Sequence, residues 1–517
     1  MAGSSTPLLS DSDSASKSET TPKLQKHLPS LDDAIEQCVG ESRKSQLCQA
    51  LLVSCAWIFD AQQTFISIFA DAVPKWHCTP LAAHSCNSSA SATVCQLPDH
   101  SWAWDLPPHA STLSEWSLEC SGSVVSGLPA SSFFVGCLVG GLALSTLADS
   151  VGRKKTLFLS CFLMSFTGML TALSPNVWVY SALKFVAGVG RSTIGSCVLV
   201  LSTETVGKRW RGHVGVLGFL CFTLGFLSLP AIAFINRGSS WRVLYVYTSF
   251  PTLFYCILIH FCVRESPRWL FVQGRREEAV STLKSIAAPS PLTMSFSGVV
   301  PSHDAETFNF YSSLKILLQK RWAMQRLSAS MAVGFGVGVV YYGMPLAVGN
   351  LPFNLYLSVT FNALAEIPSS LATIVLIERL NRRSGVLLCC GLTGICSVAC
   401  AWAKGPSAVG LELVSFFSGC TACNMVQIFA IELFPTCVRN SAMTMLRQAI
   451  MFGGVFGPVI VSAGRANRWL SYGVFGVVTG CCGLLAVCLP ETRGRTLSDT
   501  IDEEEQKNAS TRAAISV

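Results

Sequence analysis

Asp60 and Glu366 each interrupt a long apolar run, and Arg447 interrupts a third. A charge is costly in lipid, so an ionisable group in such a run marks a pathway by default. Either carboxylate can balance a cation or carry a coupling proton, because burial disfavours the charged form of an acid. Asp60 is followed by Gln62 and Gln63, Glu366 precedes Pro368, and Arg447 is followed by Gln448. Tyr341 and Tyr342 lie together in a further apolar run, and quaternary ammonium groups bind well to aromatic faces. Asn424 offers a neutral polar lining group. The plain alternatives are interhelical hydrogen bonds for the acids and an interfacial place for the tyrosines. For Arg447 the alternative is a salt bridge to one of the same acids.

A second set of charged residues occurs twice, each time about 228 residues apart. Asp149-Ser150-Val151-Gly152-Arg153-Lys154-Lys155 returns as Glu378-Arg379-Leu380-Asn381-Arg382-Arg383. Glu204 and Arg211 return as Glu432 and Arg439, with the same spacing. Glu265-Ser266-Pro267-Arg268 returns as Glu491-Thr492-Arg493. Order and spacing are both kept, so the chain is a duplicated unit, as many transporters are. Each motif sets an acid beside basic residues at one end of an apolar run. Such charges can pair across neighbouring helix ends and choose between two packings, which is the work of a gate. The alternative is orientation and surface anchoring by Lys and Arg.

The elements that carry these groups follow from composition. Of 517 residues, 50% are hydrophobic and only 13% charged, with a mean hydropathy of +0.47. A soluble domain carries roughly a quarter charged residues, so this is a membrane protein. Its net charge of +7 therefore bears on orientation, and nucleic acid is not expected as a partner. Twelve apolar stretches are near the roughly 17–25 residues that span a bilayer. They are 47–70, 124–148, 156–173, 177–200, 213–235, 241–262, 327–347, 352–377, 386–403, 407–431, 441–463 and 469–489. Basic residues crowd one set of connecting loops, which the positive-inside rule puts in the cytosol with both termini. The first apolar stretch begins too late, and is too long, for a cleaved signal peptide.

The expected organisation is a disordered cytosolic tail (1–46), a six-helix bundle (47–262), a cytosolic linker (263–326), a second six-helix bundle (327–489) and a tail (490–517). Short surface helices are expected at 275–279 and 306–326. The large external loop, 71–123, holds Cys78, Cys86, Cys95 and Cys120, read as two disulfides with three possible connectivities. Asn87-Ser88-Ser89 in that loop is a glycosylation acceptor. Asp502-Glu503-Glu504-Glu505 reads as a solvated acidic tail.

Across nearly the whole chain these features resemble the major facilitator superfamily. Glu265-Ser266-Pro267-Arg268-Trp269-Leu270, Glu432-Leu433-Phe434-Pro435-Thr436 and Leu489-Pro490-Glu491-Thr492-Arg493-Gly494 look like the organic cation/carnitine transporter family. The stretch Ser54-Cys55-Ala56-Trp57-Ile58-Phe59-Asp60 looks most like its plant branch. The resemblance implies an all-α membrane fold of two pseudo-symmetric six-helix bundles, with Asp149, Gly152, Arg153, Glu204, Arg211, Glu265, Arg268, Glu378, Arg382, Glu432, Arg439, Glu491 and Arg493 in the gate. It also implies a secondary transporter of small organic cations or zwitterions (carnitine, choline, polyamine-like), working as a monomer by alternating access. Animal relatives carry an acid in the eleventh span; the corresponding position here is Met451, one turn beyond Arg447. A site with both signs suits a zwitterion, with Arg447 for its carboxylate and Asp60 or Glu366 for its ammonium.

Other readings are weaker. Gly188-Val189-Gly190-Arg191-Ser192-Thr193-Ile194-Gly195 faintly resembles a phosphate-cradling loop, but has Arg where Lys belongs and lies inside an apolar run. Close helix packing explains it better. No His-Glu-x-x-His or Gly-x-Ser-x-Gly occurs, and no catalysis, metal or cofactor is expected beyond a coupling proton or sodium ion. The alternatives are a proton-coupled sugar transporter and, from another class, a non-transporting receptor or scaffold. A vacuolar membrane is favoured over the plasma membrane, since plant-branch relatives are often vacuolar and Leu8-Leu9 suits a sorting signal. A gating role predicts that Asp149→Asn lowers turnover while surface expression stays intact; normal turnover in a transport assay would remove that role.

Overall fold

In the computed structural model, the residues described are 44–79, 94–98, 101–144, 147–286, 310–465, 467–494, 498 and 500–507. Cys86 and Asn87, with the first tail, lie outside them. Twelve long helices run antiparallel in sequence: α1 (Lys44–Ala70), α2 (Ser123–Ala143), α3 (Arg153–Thr171), α4 (Val177–Glu204), α5 (Arg211–Ile235), α6 (Trp241–Cys262), α7 (Arg321–Asn350), α8 (Leu355–Arg379), α9 (Arg382–Trp402), α10 (Pro406–Leu433), α11 (Thr436–Ala463) and α12 (Arg468–Cys488). Eleven are long and apolar enough to cross a membrane. The other, α3, opens on Arg153-Lys154-Lys155 and is the shortest helix of the twelve. Every predicted span falls on one of these helices. They outrun the predicted ends most where a charged turn continues the helix, at Arg321 and Thr436, since backbone hydrogen bonding does not stop where hydropathy does.

Six helices form each half. One end of the bundle carries the paired charged motifs (the motif end). The other carries the 71–123 loop (the loop end). Two interruptions bear on the charged residues of the spans. Helix α1 breaks at Cys55 and Ile66, near Thr64, whose hydroxyl bonds the Asp60 carbonyl at 2.7 Å; such back-bonding bends helices. Helix α4 breaks at Ser192-Thr193, directly after Arg191. Here the run 188–195 is part of a membrane helix with no strand before it, and not a phosphate loop. A Cβ on Gly188 would stand 2.0 Å from the Phe133 carbonyl oxygen, and one on Gly136 equally close to that of Phe185. Those glycines let α2 and α4 touch backbone to backbone.

The halves meet along α2 with α11 and α5 with α8. Their side-chain contacts gather toward the loop end. Ser126 and Ser462 share a hydrogen bond, Ser131 Oγ donates to the Val455 carbonyl at 2.7 Å, and Phe69 stacks on Tyr356 with centroids 5.6 Å apart.

The loop itself is tied down. Strands β1 (Trp76–Cys78) and β2 (Trp102–Trp104) pair antiparallel. Cys95 and Cys120 form a disulfide, and Cys78 is also disulfide-bonded. Glu115 accepts hydrogen bonds from Arg242 Nη1 at 2.8 Å and Trp241 Nε1 at 2.6 Å. Partial burial works to raise the Glu115 carboxyl, but Arg242 and Trp241 outweigh it and hold it below the ordinary range.

At the motif end the linker forms short helices Pro267–Val272, Arg276–Ile286 and Phe310–Gln319. The last ends at Gln319, so the helix expected over 306–326 is split and its final turn belongs to α7. The acidic run is not a solvated tail. Residues 501–507 are helical; Glu504 pairs with Arg326 of α7 at 2.7 Å, and Glu505 pairs with Lys320 at 2.9 Å. The hydropathy pattern could not show this, because the cations that seat the helix lie about 180 residues away.

Two outcomes follow. Glu115 has a lowered folded value, so the loop clamp is fully present above about pH 4.3 and is lost only as pH falls through that lowered value. Thermal melting should show the clamp intact at about pH 5, and Glu115→Gln should lower the melting temperature at neutral pH. Removing one partner of a buried pair costs roughly 3–5 kcal/mol. Glu504→Gln should therefore free residues 501–507, read as faster proteolysis of the C-terminal segment; an unchanged cleavage rate would deny the docking.

Candidate functional site

Asp60 lies in the middle segment of α1 and Arg191 at the end of the first segment of α4. They are 5% and 8% exposed. Arg191 Nε stands 2.9 Å from Asp60 Oδ1, and Nη2 donates to Oδ2 at 3.1 Å. The pair is a buried ion pair held by one charge-assisted hydrogen bond, from Nη2, while Nε lies close but without hydrogen-bond geometry. Arg191 also reaches Met451 Sδ of α11 at 3.4 Å, so the cation of one half touches the position where an acid was looked for in the other. Asp60 is therefore not a free counter-charge, as the sequence reading had it; Arg191 is visible in the sequence as a charge inside the fourth span, but its pairing with Asp60 is not.

The pair forms one wall of a cavity of about 350 Å³ between the halves. The opposite wall holds Glu366, Tyr341, Tyr342, Asn424, Arg447 and Gln448. Glu366 Oε1 accepts from Tyr341 OH at 2.9 Å, and Oε2 accepts from Thr223 Oγ1 of α5 at 3.1 Å. The acid thus links both halves, yet among the described residues no cation pairs with it. Tyr341 and Tyr342 meet edge to face at 5.0 Å, facing the cavity and not lipid. Among the described residues Arg447 has no carboxylate within ion-pair distance, so the salt bridge weighed for it is not formed. Gln448 Oε1 is buried without a partner.

Gln63 is not part of this site. It is buried inside the first half, where Nε2 donates to Thr248 Oγ1 and Ser249 Oγ of α6, each at 3.1 Å. Thr223, Lys184, Glu412 and the Cys420-x-x-Cys423 spacing were passed over in the sequence. The two thiols line the cavity. Lys184 is 2% exposed, with Nζ 4.9 Å from the Phe133 ring centre. All four could have been flagged as polar or charged groups within apolar runs.

The cavity has a direction. Its lining continues past Arg191 to Ser196 and Leu199, past Glu366 to Ser370, past Cys423 to Gln427, and from Arg447 back to Thr444. Each step runs toward the motif end. The contacts that close the halves lie on the other side, so this state opens toward the motif end.

At that end the duplicated residues build the same device twice. Glu265 Oε1 accepts the backbone N–H groups of Arg153 and Lys154, both at 3.1 Å, at the start of α3. Glu491 accepts those of Arg382 and Arg383 at 2.9 and 3.1 Å, at the start of α9. A carboxylate at a helix start satisfies orphan donors and meets the positive end of the dipole. Partial burial works against the charged form of Glu491. The N–H groups of Arg493, Arg382, Arg383 and Thr492 outweigh it and hold the acid below the usual carboxylate range. Ser266 Oγ donates to Glu204, and Thr492 Oγ1 donates to Glu432 at 2.6 Å.

Gly152 has φ 113°, and a Cβ there would lie 2.5 Å from Glu265 Oε2. No other residue fits without a shift. The repeat has Asn381 at the matching place, at an ordinary φ of −64°.

The two copies also differ. Arg382 pairs with Glu432 of α10 at 3.1 Å, whereas Arg153 pairs with Asp149 in the preceding turn at 2.9 Å. Arg493 caps the Glu378 and Arg379 carbonyls at 2.7 and 2.9 Å. Glu204 does not pair with Arg211, whose Nε is buried without a partner. Arg439 Nε bonds the Phe434 carbonyl at 3.2 Å, and Arg268 lies in the short helix Pro267–Val272. Both networks therefore close within their own half.

Residues 81–503 match the family described as "Sugar (and other) transporter". Organic cation/carnitine transporters 3 and 2 of Arabidopsis thaliana are 55% and 53% identical to this chain, over all of it and over 100% and 99% of their own lengths. Solute carrier family 22 member 3 of Rattus norvegicus is 30% identical over 84% of this chain and 78% of its own. Among solved structures, the inward open conformation of the xylose transporter XylE from E. coli superposes with a TM-score of 0.58 at 15% identity, covering 87% of this chain and 97% of that one. XylE bound to 6-bromo-6-deoxy-D-glucose gives 0.59 at 17%, with the same coverage. At such identity the likeness is one of fold. The chain belongs to the organic cation/carnitine transporter family of the major facilitator superfamily.

Proposed function

We propose that this protein is a secondary active transporter of small organic cations or zwitterions (carnitine, choline or polyamine-like) and works by alternating access. The observation that carries this reading is the charge layout of the cavity. Asp60 and Arg191 neutralise each other, while Glu366 and Arg447 line the same space without an ionic partner of their own. A substrate with a cationic head satisfies Glu366, and Tyr341 and Tyr342 offer it aromatic edges and faces. A carboxylate on the same substrate satisfies Arg447. The names of the plant relatives support the same class.

Asp60 and Arg191 serve as the hinge charge of the first half, with the break after Arg191 as the place where α4 can bend. Their pairing can respond to a coupling proton or sodium ion. The motif networks keep each half rigid while it rocks. The motif end is the cytosolic end, in keeping with its basic loops. The disulfide-bearing loop then faces the opposite space, which in a vacuolar membrane is the lumen. Asn87 is the glycosylation site of that loop, and one chain carries the complete cavity, so a monomer suffices.

The test is uptake of labelled carnitine and choline by vesicles reconstituted with the full chain, with and without a pH gradient. A charge-assisted contact contributes roughly 1.5–3 kcal/mol. Glu366→Gln should therefore raise KM for both compounds about 10- to 100-fold. Arg447→Gln should do so for carnitine and leave choline little changed. Asp60→Asn should lower kcat more than it alters KM. No uptake of any cation or zwitterion would sink the proposal.

A further inference from the structure

Glu412 lies outside the cavity lining. It stands in the second turn of α10, near the loop end, and is 1% exposed. Asn362 of α8, fully buried, donates Nδ2–H to Glu412 Oε1 at 3.0 Å. Asn362 Oδ1 is buried with no donor. Among the described residues no cation lies within ion-pair distance of the acid.

The titratable groups near enough to feel the charge of Glu412 are Cys400 of α9, Tyr472 of α12 and Cys420 of its own helix. None is a cation. Cys400 Sγ bonds the Ala408 carbonyl at 3.2 Å, and Tyr472 OH donates to the Ala347 carbonyl at 2.9 Å, so neither donates to Glu412. Arg468 of α12 acts on Cys400 and Tyr472, and its Nη1 donates to the Ala403 carbonyl at 3.2 Å.

An ionised carboxylate in this place would be a buried charge with one neutral hydrogen bond, which costs several kcal/mol. A protonated one removes that charge. Its O–H can also serve as the donor that Asn362 Oδ1 lacks, giving acid and amide a second hydrogen bond. Turning the amide over does not change this, because its oxygen would then face Glu412 at the same distance and again need a proton from it. Asn362 and Glu366 are four residues apart on α8 and share one face. The acid of the cavity is thus one turn from the amide that Glu412 holds.

We propose that Glu412 is a proton-binding site of the transporter, loaded in the state seen here and emptied into loop-side water when the loop end opens. On release the O–H bond breaks, the proton passes to water and the carboxylate remains hydrated; reloading is the reverse. Proton occupancy then sets whether α8 and α10 stay locked through Asn362, and so couples the helix that carries Glu366 to the pH of that compartment. The coupling, though not the protonation, rests on the transporter reading.

The test uses the full chain in nanodiscs and in vesicles. Infrared spectra in H₂O and D₂O should show a protonated carboxyl band at neutral pH that is absent in Glu412→Gln and shifted in Asn362→Ala. In vesicles, counterflow of labelled carnitine should persist in Glu412→Gln while stimulation by a pH gradient is lost. If Glu412→Gln does not fold, the band shift in Asn362→Ala decides alone. A carboxyl band unchanged by both substitutions would overturn the proposal, as would gradient stimulation that survives in Glu412→Gln. Absence of carnitine counterflow in the unmodified chain would count against the transporter reading instead, and the infrared result would still decide protonation.

Discussion

The Asp60–Arg191 pair is the constraint around which the rest is arranged. Two charges in a region with little water must satisfy each other or be satisfied by something else. Here Arg191 sets Nε and Nη2 against the Asp60 carboxylate, with Nη2 donating, and its Nη1 reaches Cys137 in its own half and Met451 across the gap between the halves. That choice leaves the second half with the charges that remain to be answered. Glu366 has only hydroxyl donors, and Arg447 has no acid. One buried pair on the first half thus defines where a charged solute is useful, and the interruption of α4 beside it supplies a joint in the wall.

The duplicated motifs do different work from what their spacing first suggests. Alternating acids and bases at helix ends invite a picture of bridges from one half to the other. The geometry instead turns each acid back on its own half. Glu265 and Glu491 cap the helices that follow the basic runs, and Ser266 and Thr492 tie those caps to Glu204 and Glu432. The device stiffens two bodies that must move relative to one another, which a rocking mechanism requires as much as it requires a latch. Gly152 shows how tight the first copy is, since the approach of Glu265 leaves no room for a side chain.

Much of this was legible in the residues. Hydropathy marked all twelve helices because each apolar run is a local property. The repeat marked the caps because spacing is preserved when a unit is copied. Asp60, Glu366, Tyr341, Tyr342, Asn424, Arg447 and Gln448 were found together at one cavity because a polar group in lipid needs a reason to be there. What could not be read were partnerships. Asp60 and Arg191 are 131 positions apart, and nothing local says that this acid takes that arginine in preference to Arg447. Gln63 looked like a lining residue because three residues on from Asp60 is nearly the same helix face, about 60° round, yet its amide is taken up by Thr248 and Ser249 of α6, which no local pattern shows. The acidic tail looked solvated for the same reason that it docks: charges are read locally but answered at a distance.

The position of the two caps along the chain bears on how the protein is made. Glu265, Ser266 and Trp269 follow α6 within a few residues, and Trp269 Nε1 already bonds the Asp149 carbonyl at 2.8 Å. The first half can therefore be closed as soon as its sixth helix leaves the ribosome, before any of the second half exists. Domains made in sequence generally fold as units in that order. The second half waits for Glu491, Thr492 and Glu504, all beyond α12, so α9 and α10 are made before the groups that cap and tie them. Biosynthesis is thus asymmetric in a molecule whose two halves share one plan, since the segment that completes the second copy emerges only after α12.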